Sequence, residues 1–160
     1  MTKKIIIAGI LATGCLLIRQ TAKSQVLQPD ELIAIHHTLD SGVITTKLDT
    51  KGYKTAYGWD LKGREKVNNW IFQTQPGETA DLTVRKVTDP AGKIKTLYWI
   101  SNSYQYKEFM GSLSKSKFRY DGIRIIDDFS YSVFKRGNES LLALQLQGAD
   151  KKMYYEIRLD

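Results

Sequence analysis

Thiols are almost absent from this chain of 160 residues: its one cysteine, Cys15, excludes an intrachain disulfide and any metal site built on several cysteines. Histidine is nearly as scarce, with only His36 and His37. Adjacent residues on a helix point about 100° apart, so these two cannot grip one ion together in regular geometry. His36 shares a helical face with Asp40, but two ligands fall short of a tetrahedral site and no spacing signals a third. Calcium is not favoured either. Asp121, Asp127 and Asp128 lack the alternating acids and closing bidentate acid of a calcium loop, and read instead as a solvated acidic turn. No serine sits in a Gly-x-Ser-x-Gly elbow and no motif sets a histidine beside one, so a Ser-His-Asp triad is unsupported. Neither a catalytic residue nor a cofactor nor a metal is expected.

What is present starts with an address. Lys3 and Lys4 precede an apolar run over 5–18, too short to span a bilayer comfortably, and Ala22-Lys23-Ser24 offers small residues where a signal peptidase inspects the chain. Residues 1–24 therefore read as a signal peptide, 25–29 as a short tether, and 30–160 as one domain with halves at 30–101 and 103–160. Ala12-Thr13-Gly14-Cys15 also resembles a bacterial lipobox, although Ala12 stands where leucine is usual and the apolar run continues past the cysteine. Lipidation at Cys15 is the alternative to cleavage after Ser24. The formal charge of +7 belongs mostly to this leader, which holds four of the 24 basic residues and none of the 17 acids. Residues 25–160 carry +3, a mixed surface that argues poorly for a polyanion partner.

Hydrophobic periodicity then gives an α+β order. Pro29 and Asp30 open a helix with Leu32, Ile35 and Leu39 on one stripe, interrupted at Ser41-Gly42 and continued over 43–48, with Lys51-Gly52 as its end. Residues 70–72 read as a buried strand. Alternation at Ala80, Leu82 and Val84, the turn Asp89-Pro90-Ala91-Gly92 and the run 96–101 predict a hairpin. Ser103 caps a second helix carrying Tyr106, Phe109, Met110 and Leu113, and alternating strands follow around Tyr131, Leu144 and Ile157. At a constant offset of 65 residues, Ile44, Leu48, Tyr53 and Lys54 match Phe109, Leu113, Phe118 and Arg119. The expected fold is two helices on one face of an antiparallel sheet, with a tandem helix-plus-strands repeat as a further expectation.

Aromatic residues crowd the second half, interleaved with Lys107, Lys115, Lys117, Arg119 and Arg124. Such a surface can stack bases, but an exported chain makes nucleic acid an unsuitable partner. Core packing accounts for many of these rings, and a protein interface for the exposed ones. Trp59, Tyr104, Tyr131 and Arg119 are the candidate surface residues.

With this order of helix, Gly52-Tyr53, strands, helix and basic-aromatic pair, and with Ser24-Gln25 closing a lysine-rich leader, the chain resembles the uncharacterised small exported proteins of Bacteroidetes-type bacteria. That resemblance covers most of the chain loosely, rests on structural motifs and implies no activity. The tandem plan also looks like that of β-lactamase-inhibitory and related envelope adaptor domains, which bind proteins across a sheet face, though none of their binding residues can be matched here. The expectation is a periplasmic or secreted module, lipid-anchored in the alternative, that binds another protein of the envelope or exterior. It would touch a membrane only through a lipid on Cys15. The rival is a small-ligand carrier or hydrolase with a cleft between helices and sheet, drawing on His36, Asp40 or Asp128. The mass of the N-terminus of protein recovered from an exporting cell tests the address: cleavage after Ser24 leaves Gln25 first, and a lipid-modified Cys15 at the N-terminus would replace that reading.

Overall fold

The computed structural model describes residues 25–60, 64–75, 77, 79–148 and 151–160; the leader, with Cys15 and its lipobox, lies outside them. Among the described residues the chain forms α1 (Pro29–His37), α2 (Ser41–Asp49), β1 (Lys54–Thr55), β2 (Trp59–Asp60), β3 (Lys66–Phe72), β4 (Leu82–Thr88) and β5 (Ile94–Ile100). Then come α3 (Ser103–Leu113), β6 (Arg119–Ile126), β7 (Phe129–Arg136), β8 (Glu139–Gln147) and β9 (Met153–Leu159). The α+β class holds, with three helices where two were expected. Asp40 makes the difference: its carboxylate accepts the Gly42 and Val43 N–H groups at 2.7 and 3.3 Å, capping α2 as a separate helix. Leu39, expected on the apolar stripe, falls in the resulting link and is 81% exposed. Asn102, one residue before the expected cap, closes the start of α3 by accepting the Tyr104 N–H at 2.7 Å.

The segment read as a tether is instead fixed in the core. Val26 and Leu27 are buried, the Leu27 N–H donates to the Tyr98 hydroxyl at 3.1 Å, and the Tyr53 hydroxyl donates to the Gln25 carbonyl at 3.0 Å. The two hydroxyls lie 3.2 Å apart, and burial raises the pKa of both phenols far above the ordinary tyrosine value. Composition could not reveal this, because the tyrosines that bond Gln25 and Leu27 sit 28 and 71 residues away from them.

Every strand pairing is antiparallel, and the sheet runs β1-β3-β4-β5-β9-β8-β7-β6, with β2 on the same side of β3 as β1. Gly58 lets that broken edge approach β3, since a Cβ there would lie 2.5 Å from the Val67 carbonyl oxygen. Each half is a meander, and the last strand of one half pairs with the last strand of the other over Thr96↔Leu159 to Ile100↔Tyr155. The row Trp70, Val84, Tyr98, Ile157 and Ala143 thus crosses five strands in register. All five belong to one core with Leu32 and Ile35 of α1, Ile44 and Leu48 of α2, and Phe109 and Leu113 of α3. Leu142 and Leu144 alternate with core residues on β8, and join Tyr131 and Val133 in a separate small cluster on the opposite side of the sheet.

The positions 65 residues apart adopt matching local geometry. Gly52 (φ 85°) and Lys117 (φ 63°) both take the left-handed conformation after their helices. The next N–H groups, of Tyr53 and Phe118, then bond back to the Leu48 and Leu113 carbonyls at 3.2 and 2.9 Å. Tyr53 and Phe118 are both buried.

Lys86 occupies a position in β4 where alternation demands an inward residue, and it is buried. Its ammonium donates to the Ile35 and His36 carbonyls at 2.9 and 2.8 Å and also to that of Thr38, so one side chain satisfies the C-terminal end of α1. Burial lowers its pKa. Replacing Lys86 with Met keeps the apolar stem but strips those carbonyls of their donor; a loss of about 3 kcal/mol is expected in urea denaturation. A loss near zero would show that water serves the helix end equally well.

Candidate binding surfaces

The four candidate surface residues do not form one patch. Trp59 lies in β2, opposite Val67 in backbone register, and its side chain is outside the described positions. Arg119 begins β6, at the other end of the strand order. Tyr104, 75% exposed, stands in the first turn of α3. Tyr131 is the correction: it is only 4% exposed, because its face of β7 packs on Leu142 and Leu144 rather than facing solvent. Alternation with serines signalled a half-buried strand but not which half.

The clearest surface is one the sequence reading did not isolate. Strand β6 pairs with β7 alone and ends the sheet. A bulge between Tyr120 and Ile123 inserts an extra step, so Ile123 and Ile125 fall on the same side as Tyr120 and Arg124 turns to the other. The result is an exposed apolar row: Tyr120, Ile123 and Ile125 are 61, 68 and 72% exposed. At the start of the strand stand Lys115, Lys117 and Arg119, all exposed and without an ion pair among the described residues. Asp121, by contrast, is neutralised by Lys135 at 2.5 Å.

Across the sheet face that carries the smaller cluster runs a polar and aromatic network. The Trp99 indole donates to Glu156 Oε2 at 2.7 Å and the Tyr131 hydroxyl to Glu156 Oε1 at 2.9 Å. The Arg85 guanidinium sits 4.8 Å from the centre of the Trp99 ring, and Asn69 Oδ1 accepts from Arg85 Nε at 2.8 Å. Burial, followed by the Glu156 carboxylate, raises the pKa of Tyr131. These groups satisfy one another across the face.

Where β9 ends, between the end of α1 and the start of β8, there is a recess of about 400 Å³ lined in part by His36, His37, Arg124, Glu139, Leu142 and Asp160. His37 Nε2 meets Glu139 Oε1 at 2.9 Å, and Arg158 Nε donates to Asp160 Oδ1 at 2.8 Å. His36 Nδ1 lies 3.1 Å from Thr96 Oγ1. Of the cleft residues foreseen for a small-ligand carrier or hydrolase, only His36 reaches this recess. Asp40 is committed to its cap, and Asp128 forms the two-residue turn between β6 and β7 with Asp127, both at positive φ. Among the described residues no three acidic, histidine or cysteine side chains are grouped to hold a metal ion, and no helix is long and apolar enough to cross a membrane. No protein-family model matches the chain, and neither a curated protein nor a solved structure matches it.

Burial, aided by the charges of His37 and Lys86, lowers the pKa of His36 from 6.5. The unfolded chain therefore takes up a proton on this ring before the folded one does. Stability from this source is full above pH 6.5 and is lost as pH falls below it. Urea midpoints at neutral pH and in mild acid should differ more for the natural protein than for His36→Gln. An equal loss on acidification would assign the effect to other groups.

Proposed function

We propose that this is an exported, non-enzymatic binding module of the cell envelope, periplasmic or secreted, whose partner adds an extended segment to the free edge of β6. The exposed row Tyr120, Ile123 and Ile125 carries this reading, because a sheet edge bearing large apolar side chains is otherwise a liability that proteins blunt with charge, proline or a covering element. A bound strand would complete the backbone hydrogen bonding of β6, while its alternate side chains read the surface. The occupant we favour is a segment of another envelope protein, apolar on one side and acidic near the end that meets Lys115, Lys117 and Arg119. Such a module follows the tandem helix-plus-strands plan, in which helices cover one sheet face and leave an edge and the other face for contacts. The matching helix ends 65 residues apart support that plan. The leader over residues 1–24 supports export, and the likeness to small exported bacterial proteins is in keeping with it.

The full chain used as bait in its native envelope should retain a stoichiometric partner. Ile123→Glu with Ile125→Glu should release that partner at least about 100-fold more readily while leaving thermal unfolding unchanged, since both side chains are already in water. Hydrogen exchange should slow at β6 amides in the complex. A partner that binds the double variant as tightly would place the interface elsewhere.

A further inference from the structure

We infer that the recess beside α1 is a binding site for a small monocarboxylate, held by the Arg124 guanidinium. This goes beyond the β6 edge and concerns a different surface of the same strand.

The argument begins with charge. Two carboxylates line the recess, yet neither is available to Arg124: Glu139 is engaged by His37 and Asp160 by Arg158. Arg124 is exposed and makes no ion pair among the described residues. It is the cation left over in a concave site whose other charges are matched, and a guest anion completes the balance. A guanidinium offers parallel N–H donors that fit the two oxygens of a carboxylate.

Geometry supplies the rest. The bulge at the start of β6 sets Arg124 on the side of the strand away from Tyr120, with its backbone opposite Tyr131. Without the extra step, simple alternation would return Arg124 to the side of Tyr120. The recess has a volume of about 400 Å³, within the usual range for a small-molecule site. The two resident carboxylates disfavour a multiply charged guest such as phosphate, because each added negative charge meets Glu139 and Asp160 at close range. A monocarboxylate matches the Arg124 guanidinium while adding the least charge beside Glu139 and Asp160.

Amide chemical shifts of the full chain are to be followed during titration with hexanoate, with hexan-1-ol as the probe lacking the charge and inorganic phosphate as the more highly charged one. Saturable shifts with hexanoate at residues 36–37 and 138–142, absent with the other two, are expected. Arg124→Gln should weaken hexanoate binding by about tenfold or more, the usual weight of a charge-assisted hydrogen bond, and Arg124→Lys should restore part of it. Circular dichroism confirms that the variants remain folded. The inference is overturned if hexanoate gives no saturable shifts, if hexan-1-ol or phosphate binds as well, or if Arg124→Gln binds hexanoate like the natural protein. Ile123→Asn with Ile125→Asn, which leaves the charge beside Arg124 unchanged, should retain hexanoate binding, which separates this site from the proposed partner edge.

Discussion

The pairing of β5 with β9 is the constraint on which the rest of this structure depends. It joins two meanders whose own hairpins are local, and it is the one place where strands far apart in sequence must find a single register. A slip of one residue there would leave Tyr98 and Ile100 facing the helices but turn Tyr155 and Ile157 away from them and bring Glu156 inward. With the register as it is, apolar rows from both halves join residues of the three helices in one core. Neither half has a comparable core alone, because α1 and α3 both lie against β5.

Around that core the protein satisfies its buried polar groups with unusual partners. A lysine that reads as a surface residue closes the end of α1, and a pair of tyrosine hydroxyls holds the segment before α1 in place. The tip of the β7–β8 hairpin secures the same helix from outside: Arg136 reaches Asp30 at its start while stacking 4.6 Å from Phe118, and Glu139 reaches His37 at its end. The hydrogen bond that Arg136 donates to Asp30 lowers the pKa of that carboxyl. The second half therefore clasps the first through side chains as well as through the sheet.

The legible parts of the fold were those with local causes. The β4–β5 hairpin followed from Asp89-Pro90-Ala91-Gly92 between alternating runs, and α3 from Tyr106, Phe109 and Leu113 on one stripe. Asp127-Asp128 was readable as a turn because short acidic side chains tolerate the left-handed conformation. β6 was not delimited, since both of its sides are largely exposed and its bulge breaks the alternation that marks a strand. β1 and β2 are too short to carry a period. The site was less legible than the fold. Tyr131 and Tyr104 are chemically alike and equally plausible as surface residues, and only the register of β7 on β8 buries one of them. Arg124 stood in the sequence as one of several basic residues, and its lack of a partner became visible only once His37 and Arg158 were seen to hold the nearby acids.

The order of the strands also bears on how the molecule comes into being. Synthesis runs from the N-terminus, so β5 and β8 emerge before β9, the strand that lies between them. Until Met153–Leu159 is made, each half carries an open inner edge and the shared core lacks Tyr155, Ile157 and Leu159. The sheet is thus completed from its middle, by the last of its described strands. A nascent chain of this topology cannot close its shared core until the strand that fills its middle has been made.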